Sequence, residues 1–193
     1  MSKPVTTIQA DRGAALRFGE LWRYRELLGV LVFRDLKVRY KQTAVGCLWA
    51  LIQPVLSMAV FTLIFGVWIK LPSDGHPYAL FVYAALIPWT FFSNVITSCG
   101  TSLINASNLV TKIYFPRVFI PLALAGVGLV DFLISAVLMI VLALVYGVGL
   151  QVGLLAIPLL LVGVMLMALG LGVLLSALVA AYRDFRYVIP FFL

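Results

Sequence analysis

Residues 119–146 read FIPLALAGVGLVDFLISAVLMIVLALVY. Over this whole length there is one charge, Asp131. About twenty apolar residues cross a bilayer as a helix. Hydrocarbon offers the backbone no partners, so the chain must satisfy itself helically. The stretch is long enough to tilt, or to begin in the interface. Asp131 falls near its middle, where an acid costs about 2.5–3.5 kcal/mol on insertion scales and must face protein or water.

The rest of the chain follows suit. Of 193 residues, 64% are hydrophobic and only 11% charged, with a mean hydropathy of +1.13. A soluble domain carries about 25% charge, so lipid must serve as solvent here. Four spans are predicted: 46–68, 78–99, 119–146 and 154–181. The fold class is an all-α polytopic membrane bundle. Residues 1–42 form a cytoplasmic N-terminal segment and 46–181 the transmembrane domain, with a cytoplasmic loop at 100–118. Residues 182–193 form a last cytoplasmic loop and the start of a fifth span. The connectors KLPSDGHP (70–77) and 147–153 are turns by their Gly, Pro and Asp content.

Basic residues orient the bundle. Nine Lys/Arg precede the first span, Lys112 and Arg117 lie between the second and third, and Arg183 and Arg186 follow the fourth. Only Lys70 lies on the other side. Cytoplasmic loops are enriched in Lys and Arg, which puts the N-terminus and the 100–118 loop inside. The net charge of +7 reflects this asymmetry rather than nucleic acid, since no basic–aromatic module lies outside the spans.

Catalytic chemistry is not encoded. One histidine, His76, and two distant cysteines, Cys47 and Cys99, give no metal-ligand spacing. No G-x-x-x-x-G-K-[ST] loop is present to cradle a nucleotide phosphate. Energy for uphill transport would come from a partner or an ion gradient. One function is thus an ion-coupled secondary transporter using Asp131. The plainer role for Asp131 is a helix–helix hydrogen bond, to a Ser or Asn of a neighbouring span.

Residues 27–41, LLGVLVFRDLKVRYK, are amphipathic. Val32, Phe33, Leu36 and Tyr40 share one helical face, and Arg34, Lys37 and Lys41 gather opposite. Such a helix lies in the membrane surface with its bases toward anionic headgroups. In the fourth span Ala168, Gly172, Ser176 and Ala180 recur every four residues, a spacing that lets helices approach closely within a subunit or across a dimer. Pro54 and Pro88 fall inside the first two spans, where each can kink its helix. Those spans are rich in aromatics. Some belong to interfacial belts, while others can line a path, because aromatic faces pack on sugar rings; periodicity leaves both readings open.

The loop stretch NLVTKIYFPR (108–117) breaks the apolar pattern with two cations, two aromatics and a proline. Asn105 or Ser107 can cap a short helix there, and Pro116 can stop it. Aromatics beside cations suit a docking surface, or else bury in the membrane interface.

The segments 22–58, LIPWTFFSN (86–94), NLVTKIYFPRVFIPL (108–122) and YRDFRYVIPF (182–191) together resemble the permeases of type-2 ABC transporters. The branch they are most similar to exports polysaccharides and polyol phosphates: O-antigen, capsule and teichoic acid. The resemblance implies six membrane helices, a homodimer and a bacterial cytoplasmic membrane location. It implies a lipid-linked glycan substrate and an ABC ATPase partner. ATP and magnesium would be held by that ATPase, with no cofactor on this chain. By resemblance, Asn108, Thr111, Lys112, Tyr114, Phe115, Pro116 and Arg117 form the coupling helix that the ATPase grips. Arg183, Asp184 and Arg186 match a second cytoplasmic contact. Arg34, Asp35, Lys37, Arg39 and Tyr40 match an interfacial gate helix. Phe61, Phe65, Tyr83, Trp89 and Phe92 are candidates for the translocation path. Four of the six helices are present, so the chain reads as a C-terminally truncated copy of the family.

Overall fold

A computed structural model describes residues 25–41, 48–73, 75–106, 118–149 and 156–193. The coupling stretch, with Asn108, Thr111, Lys112, Tyr114, Phe115, Pro116 and Arg117, lies outside the described residues, as does Cys47.

The described chain is helical. Helix α1 covers Arg25–Lys41. Helix α2 covers Trp49–Phe61 and runs on as a wider π-helix, Thr62–Trp68. Then come α3 (Tyr78–Asn105), α4 (Phe119–Val145), α5 (Ile157–Ala181) and the short α6 (Phe185–Phe192). Four of these stretches, Trp49–Trp68, α3, α4 and α5, are long and apolar enough to cross a membrane. Pro54 and Pro88 sit inside continuous helices.

Helix α3 reaches six residues past the expected end of the second span, to Asn105. Its last turns are polar but remain helical, because the hydroxyls bond back along the helix. Thr97 donates to the Ser93 carbonyl at 2.8 Å and Thr101 to the Thr97 carbonyl at 3.1 Å. Asn105 is the last residue of this helix, its amide donating to Thr101 Oγ1 at 3.4 Å; the other cap candidate, Ser107, lies outside the described residues. Helix α4 ends at a glycine in the left-handed region, Gly147 at φ 68°. The Val148 N–H then bonds back to the Ala143 carbonyl at 2.9 Å, closing the helix end where only glycine is unstrained.

Helix α3 is the centre of the bundle. Tyr83, Ile87, Phe91, Val95 and Cys99 recur every four residues and are all buried. One side of this stripe meets α4. The Tyr83 hydroxyl donates to the Ser135 carbonyl at 3.2 Å, the Phe91 and Phe132 rings meet edge to face at 5.4 Å, and the Cys99 thiol donates to the Pro121 carbonyl at 3.2 Å. As residue numbers rise on α3 they fall on α4, so the two are antiparallel. The other side meets α5 at Ala168, Gly172 and Ser176, all buried. A Cβ on Gly172 would stand 2.6 Å from the Cys99 Cβ, so the glycine sets how close these helices come. The small-residue stripe therefore packs inside the chain. Its fourth expected member, Ala180, is exposed, and Val179 is buried in its place.

Helix α1 packs along α4. Leu31 joins Phe119 and Ala123 in one apolar cluster, supported by Leu27, Leu28 and Val32. The packing face therefore differs from the one expected. Phe33 points outward, 63% exposed, with the Lys37 ammonium 5.2 Å from its ring centre.

Candidate functional site

At its last turn α1 reaches the middle of α4. Arg39 Nη1 stands 2.9 Å from Asp131 Oδ2, an ion pair. The hydroxyl of the next residue, Tyr40, donates to Oδ1 of the same carboxylate. Asp131 is thus held by a cation and a phenol from consecutive residues. Its side chain is only 17% exposed, against 45% for Arg39. The expected Ser or Asn of a neighbouring span is not the partner that meets the charge. An acid inside a span needs such compensation: the Tyr40 bond to Oδ1 is charge-assisted and of the strong kind, while Oδ2 has the ion pair with Arg39 but no hydrogen bond among the described residues.

This constellation lines a cleft of about 100 Å³. Three spans contribute to the cleft, and each does so through a polar pair one helical turn apart: Gln53 and Ser57 from α2, Thr90 and Asn94 from α3, Asp131 and Ser135 from α4. Residues four apart lie on one helix face, so the three helices turn polar faces to a common point. Thr90 donates back to the Leu86 carbonyl at 2.8 Å, so its hydroxyl oxygen is left to accept. Trp49, Phe91 and Phe132 supply the apolar wall. The cleft can hold and orient hydroxyl or amide groups. Among the described residues no group of three His, Cys, Asp or Glu side chains is placed to hold a metal.

Sequence reasoning missed the polar pairs and the joining of Asp131 to Arg39 and Tyr40. The pairs had a legible signal: three i, i+4 polar couples inside otherwise apolar spans. The joining had none, because residues 40 and 131 are brought together only by packing.

The other expected residues are dispersed. Arg34 pairs with its neighbour Asp35 at 2.7 Å, and Lys37 is exposed. Arg183, Asp184 and Arg186 are exposed around the start of α6. Arg186 stacks on Tyr187 at 5.1 Å from the ring centre. Ile189 of α6 lies against Gly100, which places these residues at the end of the bundle where α3 leads into the loop. Of the path aromatics, Phe61 stacks on Phe65 at 5.7 Å and Trp89 tilts on Phe92 at 6.3 Å. Tyr83 is fully buried in the bundle core and faces no open surface of the chain. None of the five lines the cleft.

A bundle of apolar helices, four of them long and apolar enough to cross a membrane, defines a multi-pass membrane protein. The family model of the ABC-2 type transporter matches residues 26–193. The chain belongs to that family. It is 31% identical over 170 residues to the O-antigen export system permease protein RfbA of Myxococcus xanthus, covering 88% of this chain and 65% of that one. It is 31% identical over 160 residues to the protein of the same name from Klebsiella pneumoniae, covering 82% and 61%. The chain thus spans a little under two thirds of the length of the curated relatives it matches.

Proposed function

We propose that this chain is the membrane-spanning permease of an ATP-driven exporter, and that it moves a lipid-linked polysaccharide or polyol-phosphate polymer across the bacterial cytoplasmic membrane. The observation that carries the reading is the 31% identity over 88% of the chain to a permease named for O-antigen export. The chain itself hydrolyses nothing. An ABC ATPase on the cytoplasmic side binds ATP and magnesium and grips the loop from Asn108 to Arg117. Arg183, Asp184 and Arg186 form the second contact. Their exposure at the same end of the bundle supports that role.

Two copies of the permease assemble around the path. Support comes from the first span, where no residue from Trp49 to Trp68 is buried within the chain, leaving its surface to lipid or to a second copy. Phe61, Phe65, Trp89 and Phe92, exposed or half-buried, supply faces on which sugar rings can stack. The N-terminus is cytoplasmic, as the Lys and Arg bias requires.

The test is to replace Lys112, Tyr114 and Phe115 singly by alanine in the full-length permease with its ATPase. Each variant should insert at parental levels while glycan export falls at least tenfold, because the motor no longer drives the spans. Parental ATPase binding and export in all three variants would overturn the reading.

A further inference from the structure

The cleft has four walls, and they are not equally fixed. Three belong to spans, two of which, α3 and α4, pack into the core through Phe91 and Phe132. The fourth is the last turn of α1. That helix is held at one end by Leu31 and Val32 against Phe119, Ala123 and Gly126. At the other end it is held by the Arg39 and Tyr40 grip on Asp131. Between these points Phe33, Arg34, Lys37 and Val38 are exposed, while Asp35 and Leu36 are half-buried. A cleft of about 100 Å³ can hold several waters, and the last turn of α1 forms one side of it. Among the described helices α1 packs on α4 alone, while α2 packs on both α3 and α4, so α1 is the wall that can move by parting from a single neighbour.

We propose that Asp131 is a positioning residue that latches the last turn of α1 over the polar cleft, and that this latch opens during export so that hydroxyl-bearing parts of the substrate reach Gln53, Ser57, Thr90, Asn94 and Ser135. The opening step rests on the exporter reading; the latch does not. The latch assigns the lone intramembrane acid a task that is neither a proton relay nor a passive packing contact. A carboxylate inside a span cannot be left bare, so α1 has one strongly preferred seat. Both polar contacts of this last turn go to one carboxylate, so a single change at Asp131 removes them together.

The structure supplies a direct probe. A Cβ on Gly126 would stand 3.9 Å from the Val32 Cβ, within the roughly 3.5–4.5 Å that a disulfide spans. The Val32 Cγ2 that would crowd it at 2.9 Å is removed by Val32→Cys. The experiment uses full-length permease carrying Val32→Cys and Gly126→Cys, with Cys47→Ser, co-expressed with its ATPase in membrane vesicles. Cys99 is enclosed in the core and stays. In this parent the disulfide should form readily under mild oxidant. Adding Asp131→Asn or Arg39→Gln should slow its formation about tenfold, in the usual range for coupling between two sites. Asp131→Glu, which keeps the charge, and the swap of Arg39→Asp with Asp131→Arg should both recover to within about threefold of the parent. An unchanged rate in the single variants, or no recovery in either charge-keeping variant, overturns the latch. The second readout is glycan export. Closing the disulfide should stop export and a reductant should restore it. Full export with the disulfide closed overturns the opening step. Absence of glycan export from the reduced parent would overturn the exporter reading, while the cross-linking result still decides the latch.

Discussion

At the scale of single residues, burial separates side chains that look alike in the sequence. Tyr83 and Trp89 are both aromatic and both lie in the second span. Tyr83 is 0% exposed and its hydroxyl bonds the Ser135 carbonyl, while Trp89 is 50% exposed. Their substitutions should therefore have different consequences. Tyr83→Phe should cost about 1 kcal/mol, the usual net worth of one hydrogen bond. Tyr83→Ala should cost about 3–5 kcal/mol by opening a cavity. Both losses should appear as reduced thermal stability in detergent, with substrate choice unchanged. Trp89→Ala should leave stability within about 0.5 kcal/mol, as surface changes usually do. A selectivity change without a stability change in the Tyr83 variants would contradict this placement. Asp131 gives the same lesson from the polar side. The sequence marked it as costly and in need of a partner. That the partner is a cation from a helix ninety residues earlier is a fact of packing.

At the scale of elements, small residues set helix separations. Gly172 and Gly170 are two residues apart on α5. A Cβ at Gly172 meets the Cys99 Cβ at 2.6 Å, and one at Gly170 meets nothing within 4 Å. Gly172→Ala should destabilise by about 1–3 kcal/mol, the usual cost of overpacking. Gly170→Ala should be neutral or gain up to about 1 kcal/mol, since alanine favours the helix over glycine. Thermal unfolding of the two variants, compared with the parent, measures both signs at once. The stripe of small residues was legible in the sequence as a close contact. Which helix it meets was not, because periodicity names a face and not its neighbour. The same limit explains α1. The amphipathic face expected for it is not the one that packs: Leu31 and Val32, not Phe33, form the packing edge, and that choice depends on the shape that α4 offers.

At the scale of the whole molecule, the bundle has two chemically different ends. Lys70 stands alone at one, and Arg183 and Arg186 flank the start of α6 at the other. Lys70→Cys and Arg183→Cys, each with Cys47→Ser and with Cys99 left in the core, should react with a membrane-impermeant maleimide from opposite sides. Lys70→Cys should label in intact cells, and Arg183→Cys only after the membrane is opened. Labelling of both from one side would break the four-span topology. The polar cleft also belongs to this scale. It takes side chains from four helices, and no stretch of sequence contains it.

The sequence by itself determined the solvent, the helical class, the number of spans described and the asymmetry of charge. These follow from local composition, because a bilayer demands length, apolarity and a satisfied backbone from each segment independently. It also carried the family resemblance, which the match over residues 26–193 bears out. Only the tertiary structure decided that Tyr83 is core, that the small stripe of α5 faces α3, and that Asp131 is held by Arg39 and Tyr40 over a cleft. Each of these depends on which faces meet, and a face acquires its partner only when the whole bundle has packed.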